Sequence, residues 1–299
     1  MTLRPCMPHP APWIGFETLL DLMRTGTVTV LSGAGMSTES GIPDYRGPDT
    51  RETDHSPIRY QEFVDDERTR RHYWARSAVG WPTFDAAAPN PGHYALAALE
   101  QSGTVNGLIT QNVDRLHQAA GSTRVVELHG ALAEVTCLQC GAITDRWTVQ
   151  DRLQSLNPNW SRRASSLAPD GDAEIPWAAT REFSVPACRT CGGVLKPNVV
   201  FFGENADPAR VEAAWSLLDD ADALLVVGSS LTVYSGFRFV REARQSNQPV
   251  GIVNLGETRG TPLSTVHVDA RTGELLPQLA QALGASDVAD APTTRPSAA

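Results

Sequence analysis

Residues 27–47 read TVTVLSGAGMSTESGIPDYRG, and no other stretch constrains the fold as much. Val28-Thr29-Val30-Leu31 is a β-branched, apolar run that predicts a buried strand. It gives way to Ser32-Gly33-Ala34-Gly35 and then to the small hydroxylated residues Ser37 and Thr38. A strand ending in a glycine turn that leads into a helix aims backbone N–H groups at an anion, the arrangement that holds a diphosphate. The Gly33-x-Gly35 spacing falls short of the full dinucleotide fingerprint, because position 38 is Thr38 and not glycine. Glycine turns after strands are common, so the spacing says little alone. The polar continuation Glu39 to Arg46, with Pro43 inside it, is the rarer feature.

The same strand-then-helix rhythm recurs along the chain. Helical spacing covers Phe16 to Arg24, Phe63 to Trp81, Ala95 to Glu100, Asp114 to Ala120, Pro208 to Leu218, Phe237 to Arg244 and Glu274 to Leu283. Strands are predicted at Gly107 to Thr110, Val125 to Leu128, Asn198 to Phe202, Ala223 to Val227, Pro249 to Val253 and Val266 to Val268. The wholly apolar Ala223–Val227 run is typical of a strand buried on both faces. Alternation of this kind predicts an α/β fold with a doubly wound parallel sheet. Residues 49–90 look like a helical module, and the broken apolar pattern between Cys137 and Cys191 looks like an insertion with its own staple. The expected division is a Rossmann-like core over about 13–48, 92–132 and 198–284, a helical module over 49–91, a zinc-binding module over 133–197, and a disordered tail over 285–299.

Net charge is −9, with no lysine- or arginine-rich block, which disfavours nucleic acid and anionic membranes as partners. Basic residues are nearly all arginine, and Lys196 is the sole lysine. No apolar run reaches the roughly 18 residues of a membrane span, and the Pro-rich start is a poor signal peptide. A cytoplasmic monomer is the expectation. In a reducing compartment Cys137-x-x-Cys140 and Cys188-x-x-Cys191 suggest metal and not disulfides. Two thiolates on each of two tight turns can close a tetrahedron around a structural Zn2+ with no open coordination position. Cys6 is left over and has no assigned role.

Gln111-Asn112-Val113-Asp114 follows a predicted strand, where α/β sheets bind ligands. Asn112 and Asp114 could contact a carboxamide, although taken alone helix capping is the better explanation of them. His129 stands at a second strand end and could act as a general base near neutral pH, or simply be a satisfied polar residue.

The segments GAGMSTESGIPDYRG, TQNVDRLH, ELHG, the split cysteine pairs, KPNVVFFGE, VVGSSL and IVNLG occur in the order found in sirtuins, over about residues 16–284. The chain resembles that family of NAD-dependent protein deacylases, and YWARSAVGWPTF, LNPNWS, LAPDGD and SSLTVYSGFRF resemble its class II branch. The resemblance implies a set of roles. Gly33, Ala34, Gly35, Ser37, Thr38, Pro43, Asp44, Tyr45 and Arg46 would hold the NAD diphosphate and nicotinamide ribose. Gln111, Asn112, Val113 and Asp114 would line the nicotinamide pocket, and His129 would deprotonate a ribose hydroxyl, with Asn112 as its catalytic companion. Gly228, Ser229 and Ser230 would contact phosphate and ribose, Asn254, Leu255 and Gly256 the adenosine ribose, and Thr272 the adenine end. Val200, Phe201, Phe202, Gly203 and Glu204 resemble the strand that pairs with the substrate backbone, and Val233 would line the same groove. The implied chemistry consumes NAD and an acyl-lysine protein, and releases nicotinamide and O-acyl-ADP-ribose. Mono-ADP-ribosyl transfer and non-catalytic NAD sensing are the alternatives.

Two departures stand out. Tyr45 replaces a more usual Phe, and the usual Val-x-Pro after Leu231 is Val233-Tyr234-Ser235, which is expected to reshape the groove. Tyr73-x-x-Arg76 falls where the desuccinylase branch carries a Tyr and an Arg for acidic acyl groups. Residues three apart share a helix face, so this pair could bind a carboxylate at the end of an acyl chain. Acidic branched acyl groups, or long acyl and lipoyl groups, are expected ahead of acetyl, with a loop at 167–177 reaching the acyl channel.

Overall fold

A computed structural model describes residues 13–45, 57–160, 168 and 171–285. Helix α1 (Phe16–Arg24) precedes strand β1 (Val28–Ser32). Helices α2 (Tyr60–Asp65), α3 (Glu67–Asp85) and α4 (Pro91–Gln101) lead to β2 (Val105–Thr110). Then come α5 (Leu116–Ala119), β3 (Val125–Glu127), β4 (Gly130–Cys137), β5 (Ile143–Asp145), α6 (Arg146–Leu156) and β6 (Leu195–Val199). The chain closes with α7 (Pro208–Asp219), β7 (Ala223–Val227), α8 (Tyr234–Gln245), β8 (Val250–Val253), β9 (Val266–Val268) and α9 (Thr272–Ala282).

As the alternating pattern predicts, six strands form one parallel sheet; their order is β3-β2-β1-β7-β8-β9. Strand order reverses between β1 and β7, so a crevice opens beyond their carboxyl ends. Both strands are buried at every position, because helices cover both faces of the sheet. Val30 and Leu225 face Leu19, Leu96 and Leu276 of α1, α4 and α9. Leu31 and Leu224 face Leu217 and Phe239 of α7 and α8. The alternation of neighbours between the two clusters is the period of two that a strand imposes.

A second, antiparallel sheet has the order β5-β4-β6. The strand expected over 198–202 is instead β6, Leu195–Val199, and it belongs to this small sheet and not to the core. Pro197 is tolerated because β6 is an edge strand. Phe201 packs as a side chain against Phe63 and Tyr73, with ring centroids 5.2 and 5.4 Å away. The helical and cysteine-bearing segments share one core, in which Phe63 and Trp74 meet Val135, Val149, Leu153 and Leu195. Arg146 is buried there between Trp74 and Trp81, its guanidinium carbon 5.4 and 5.3 Å from the ring centroids. At the chain's end Ala285 is buried against the main core, so the tail cannot begin there as expected; residues 286–299 lie outside the described residues. Among the described residues no helix is long and apolar enough to cross a membrane.

Buried polar groups tie the sheet to the site. Ser32 Oγ donates to Thr110 Oγ1 at 2.8 Å and lies 2.8 Å from His117 Nε2. Burial pulls His117 down to about 4, and burial together with the nearby Arg76 charge pulls His72 down to about 4. Both histidines are neutral when folded but bind a proton near 6.5 once unfolded. The unfolded chain therefore takes up more protons in that interval, and stability falls with falling pH. We predict a melting temperature that is steady above pH 6.5 and drops progressively toward pH 4, read by scanning calorimetry.

Candidate active site

A cavity of about 720 Å3 sits at the carboxyl ends of β1, β2, β7 and β8. Its wall includes every described residue to which the sequence assigned an NAD, catalytic or acyl-lysine role, with the exception of Arg76. Arg46 and Cys6 lie outside the described residues.

The glycine turn is built differently from the expectation. No α-helix follows β1; the loop folds into two short 3-10 turns, Ala34–Met36 and Thr38–Ser40. Gly33 N–H donates to Val227 O at 3.1 Å and Gly35 N–H to Gly228 O at 2.8 Å, so neither is aimed at an anion. What these positions require is close approach. A Cβ on Gly33 would meet Ser229 Cβ at 2.7 Å, and one on Gly228 would meet Met36 N at 2.3 Å. Gly228 also has φ +58°, and the buried Leu231 beyond it has φ +56°, a left-handed conformation that costs a branched residue of order 1–3 kcal/mol.

Side chains from β2's end complete this floor. Asn112 Nδ2 donates to Gly33 O at 3.0 Å and to Ser37 Oγ at 3.1 Å, and Ser37 Oγ donates to Asp114 Oδ2 at 2.6 Å. Asp114 Oδ1 accepts from Leu116 N at 2.9 Å, so the residue caps α5 and faces the cavity at once. Burial pushes its carboxyl above the usual range, opposed by the Leu116 and Ser37 hydrogen bonds. Gln111 Nε2 reaches Ser229 Oγ at 2.9 Å, tying β2's end to β7's.

His129 sits across the cavity. Its Nδ1 lies 3.0 Å from Gln111 O and its Nε2 2.8 Å from Ser235 Oγ. A carbonyl only accepts, so Nδ1 carries the ring proton and Nε2 is left basic. Burial lowers its pKa, with the Arg238 charge adding to the effect and the Gln111 bond opposing it. The imidazole is neutral at pH 7 and can accept a proton.

Opposite lies the segment assigned to the substrate. Val200 N–H donates to His129 O at 2.9 Å, and Phe202 forms an isolated bridge with Arg59. Gly203 (φ +84°) turns the chain, and Glu204 Oε2 accepts from Phe201 N at 2.9 Å. Lys196 underpins this turn, and sequence reasoning missed it: it is buried, with Nζ 2.9 Å from Glu204 Oε2. Its status as the chain's sole lysine was visible; its long-range partner was not. Tyr45 meets Phe202 edge-on at 6.3 Å, closing the far rim, while Val233 lies on the exposed near rim.

Tyr73 and Arg76 part company. Tyr73 lines the cavity, whereas the buried Arg76 donates from Nε to Ala173 O at 3.0 Å and lies 3.8 Å from Asp172 Oδ2. The guanidinium holds the loop that ends at 173, and it is Asp172 that reaches the cavity wall.

Away from the cavity, the sulfurs of Cys137, Cys140, Cys188 and Cys191 all lie within 4.8 Å of one another. The Cys137–Cys191 and Cys140–Cys188 separations of 3.5 and 3.8 Å match the edges of about 3.8 Å that a ZnS4 tetrahedron with bonds of about 2.3 Å requires. N–H groups of Cys191 and Thr190 hold the Cys188 thiol down to about 6, so a thiolate is available.

The Sir2 family model matches residues 33–235, which span the loop, the base and the cysteine cluster. The chain belongs to the Sir2 family. It is 48% identical over 275 residues to the bovine (Bos taurus) NAD-dependent protein lipoamidase sirtuin-4, mitochondrial, covering 90% of this chain and 87% of the relative. It is 52% identical over 264 residues to NAD-dependent protein deacetylase 1 of Streptomyces coelicolor, covering 88% of each. Among solved Sir2 structures, one described as Sir2-p53 peptide-NAD+ aligns with TM-score 0.73 and 31% identity, over 91% of this chain and 99% of that one. A Sir2 bound to acetylated peptide aligns with TM-score 0.73 and 30% identity, over 91% and 100%.

We predict one zinc per purified chain by atomic absorption. Stripping it with a strong chelator, or making Cys188→Ser, should lower the melting temperature by several degrees, the effect of a few kcal/mol.

Proposed function

We propose that this Sir2-family chain is an NAD-dependent protein lysine deacylase that transfers the acyl group to ADP-ribose. The observation that carries the reading is a neutral His129 on the wall of a cavity floored by the Asn112–Ser37–Asp114 chain. The names of the relatives, NAD-dependent lipoamidase and deacetylase, support it. At the far end of the cavity Thr272 Oγ1 is buried with no protein partner, which suits a nucleotide.

In this reading the acyl-lysine oxygen bonds to the ribose anomeric carbon as the nicotinamide C–N bond breaks. Asn112 and Asp114 hold the carboxamide. A ribose hydroxyl then gives its proton to the His129 side and attacks the imidate carbon, and water releases the lysine amine. Val200 to Gly203 positions the peptide backbone. NAD is a substrate and is consumed.

The expected acidic-acyl pocket does not fit the placement of Arg76. An acyl carboxylate would have to displace Asp172 to reach the guanidinium, and Asp172 itself repels it. Ile58, Tyr73, Phe84 and Leu132 add apolar surface to the cavity wall, which favours long neutral acyl chains.

An acyl-peptide panel with and without NAD tests both points by mass spectrometry. His129→Ala should abolish lysine release while retaining nicotinamide exchange, and ADP-ribosylated protein as the main product would overturn the reading. For acyl choice, an octanoyl peptide should exceed a glutaryl one in kcat/KM by about tenfold, about 1.4 kcal/mol, and Asp172→Asn should narrow that ratio. A glutaryl peptide turned over faster than an octanoyl one would reject the apolar assignment.

A further inference from the structure

Ser235 lies in the first turn of α8, whose N-cap is Val233. A serine in a helix's first turn gains little there unless it caps or bonds elsewhere. This one bonds elsewhere: its Oγ is 2.8 Å from His129 Nε2. Because Nδ1 is committed to Gln111 O, Nε2 offers a single lone pair, and the Ser235 hydroxyl donates into it. The base is therefore already occupied by a protein hydroxyl.

The contact is fixed from both sides. Gly236 presses on the Gln111 side chain so closely that a Cβ there would fall 2.5 Å from Oε1. Arg238, one turn on, donates from Nε to Ser235 O at 3.1 Å, and its guanidinium carbon sits 5.6 Å from the Trp215 ring centroid. The residue that orients Nδ1 and the helix that supplies the donor to Nε2 are thus packed on one another. Ser235 also lines the cavity, and a hydroxyl that donates can still receive a further hydrogen bond.

We propose that Ser235 relays the proton between the ribose hydroxyl and His129. The ribose O–H bond breaks as a new O–H bond forms at Ser235 Oγ. The hydroxyl's original proton passes to His129 Nε2, giving the imidazolium, and the ribose oxygen keeps the electron pair with which it attacks the imidate carbon. This inference rests on the deacylase reading and adds a catalytic group to it. Without a relay, the incoming hydroxyl would have to displace Ser235 from Nε2, and the two routes predict opposite effects of removing the side chain.

The experiment compares the full-length chain with Ser235→Ala and Ser235→Thr, measuring exchange of labelled nicotinamide into NAD and single-turnover lysine release on the same acyl-peptide. The relay requires Ser235→Ala to slow lysine release by about a hundredfold, within the range of general acid–base catalysis, while exchange stays within about threefold. Ser235→Thr, which keeps the hydroxyl, should recover most of the loss. Lysine release in Ser235→Ala that equals or exceeds the unsubstituted chain overturns the relay, because it means the hydroxyl is displaced. An equal fall in both steps with no recovery by Thr overturns it too, as a packing effect. Absence of nicotinamide exchange in the unsubstituted chain would instead overturn the deacylase reading itself.

Discussion

The whole site depends on the contact between two backbones. The β1 loop and the β7 loop lie so close at Gly33, Gly35 and Gly228 that no side chain fits between them. The Gly33 and Gly35 N–H groups are used up in holding that contact, and Gly228 N–H donates to Val253 O. The interlock fixes the carbonyl of Gly33, on which Asn112 is hung, and the hydroxyl of Ser229, to which Gln111 reaches. Gln111 in turn orients His129. A chain of short contacts thus runs from the centre of a buried sheet to the catalytic base, each link supported by one beneath it.

The smaller module joins this chain along the start of β4, where Leu132 N–H also donates to Val113 O at 3.0 Å. Strand β4 begins at Gly130, directly after His129, with φ +81° and a Cβ position that would fall 2.0 Å from Asn198 O. The base and the Val200–Gly203 segment therefore flank the same end of one tight antiparallel pairing, Gly130 with Val199. The four cysteines staple the far end of the same two strands, at Cys137 opposite Leu195. A structural metal more remote than any contact with the cavity can thus set the spacing between base and peptide segment through β4 and β6 alone.

What could be read from residues was whatever has a local cause. The parallel core sheet followed from apolar runs and alternation, though not its strand order, and α1, β7 and β9 fall at the predicted residues. The two CxxC turns came together because their spacing admits few other uses. The misplacements share a different cause. Asn198–Phe202 is as apolar as a core strand, but Pro197 and the pairing with β4 put the strand earlier and in another sheet. Arg76 had the right spacing from Tyr73 for a carboxylate, yet its partner is Asp172, nearly a hundred residues on. Lys196 carried a signal visible in the chain, a sole lysine, whose meaning lay in Glu204, and Ser235 took its meaning from His129. Long-range pairings of buried polar groups leave no periodic trace.

The protonation states within the crevice follow a single tendency. Burial lowers His129 and raises Asp114, so both are driven toward their neutral forms despite a net charge of −9 on the chain. For the proposed reaction this has a direct use. The pyridinium of NAD is positive and becomes neutral nicotinamide on leaving, so an ionised carboxylate beside it would stabilise the ground state more than the transition state. A cationic His129 would have no lone pair to accept a proton. Burial in the crevice thus shifts both groups toward the forms the proposed chemistry uses.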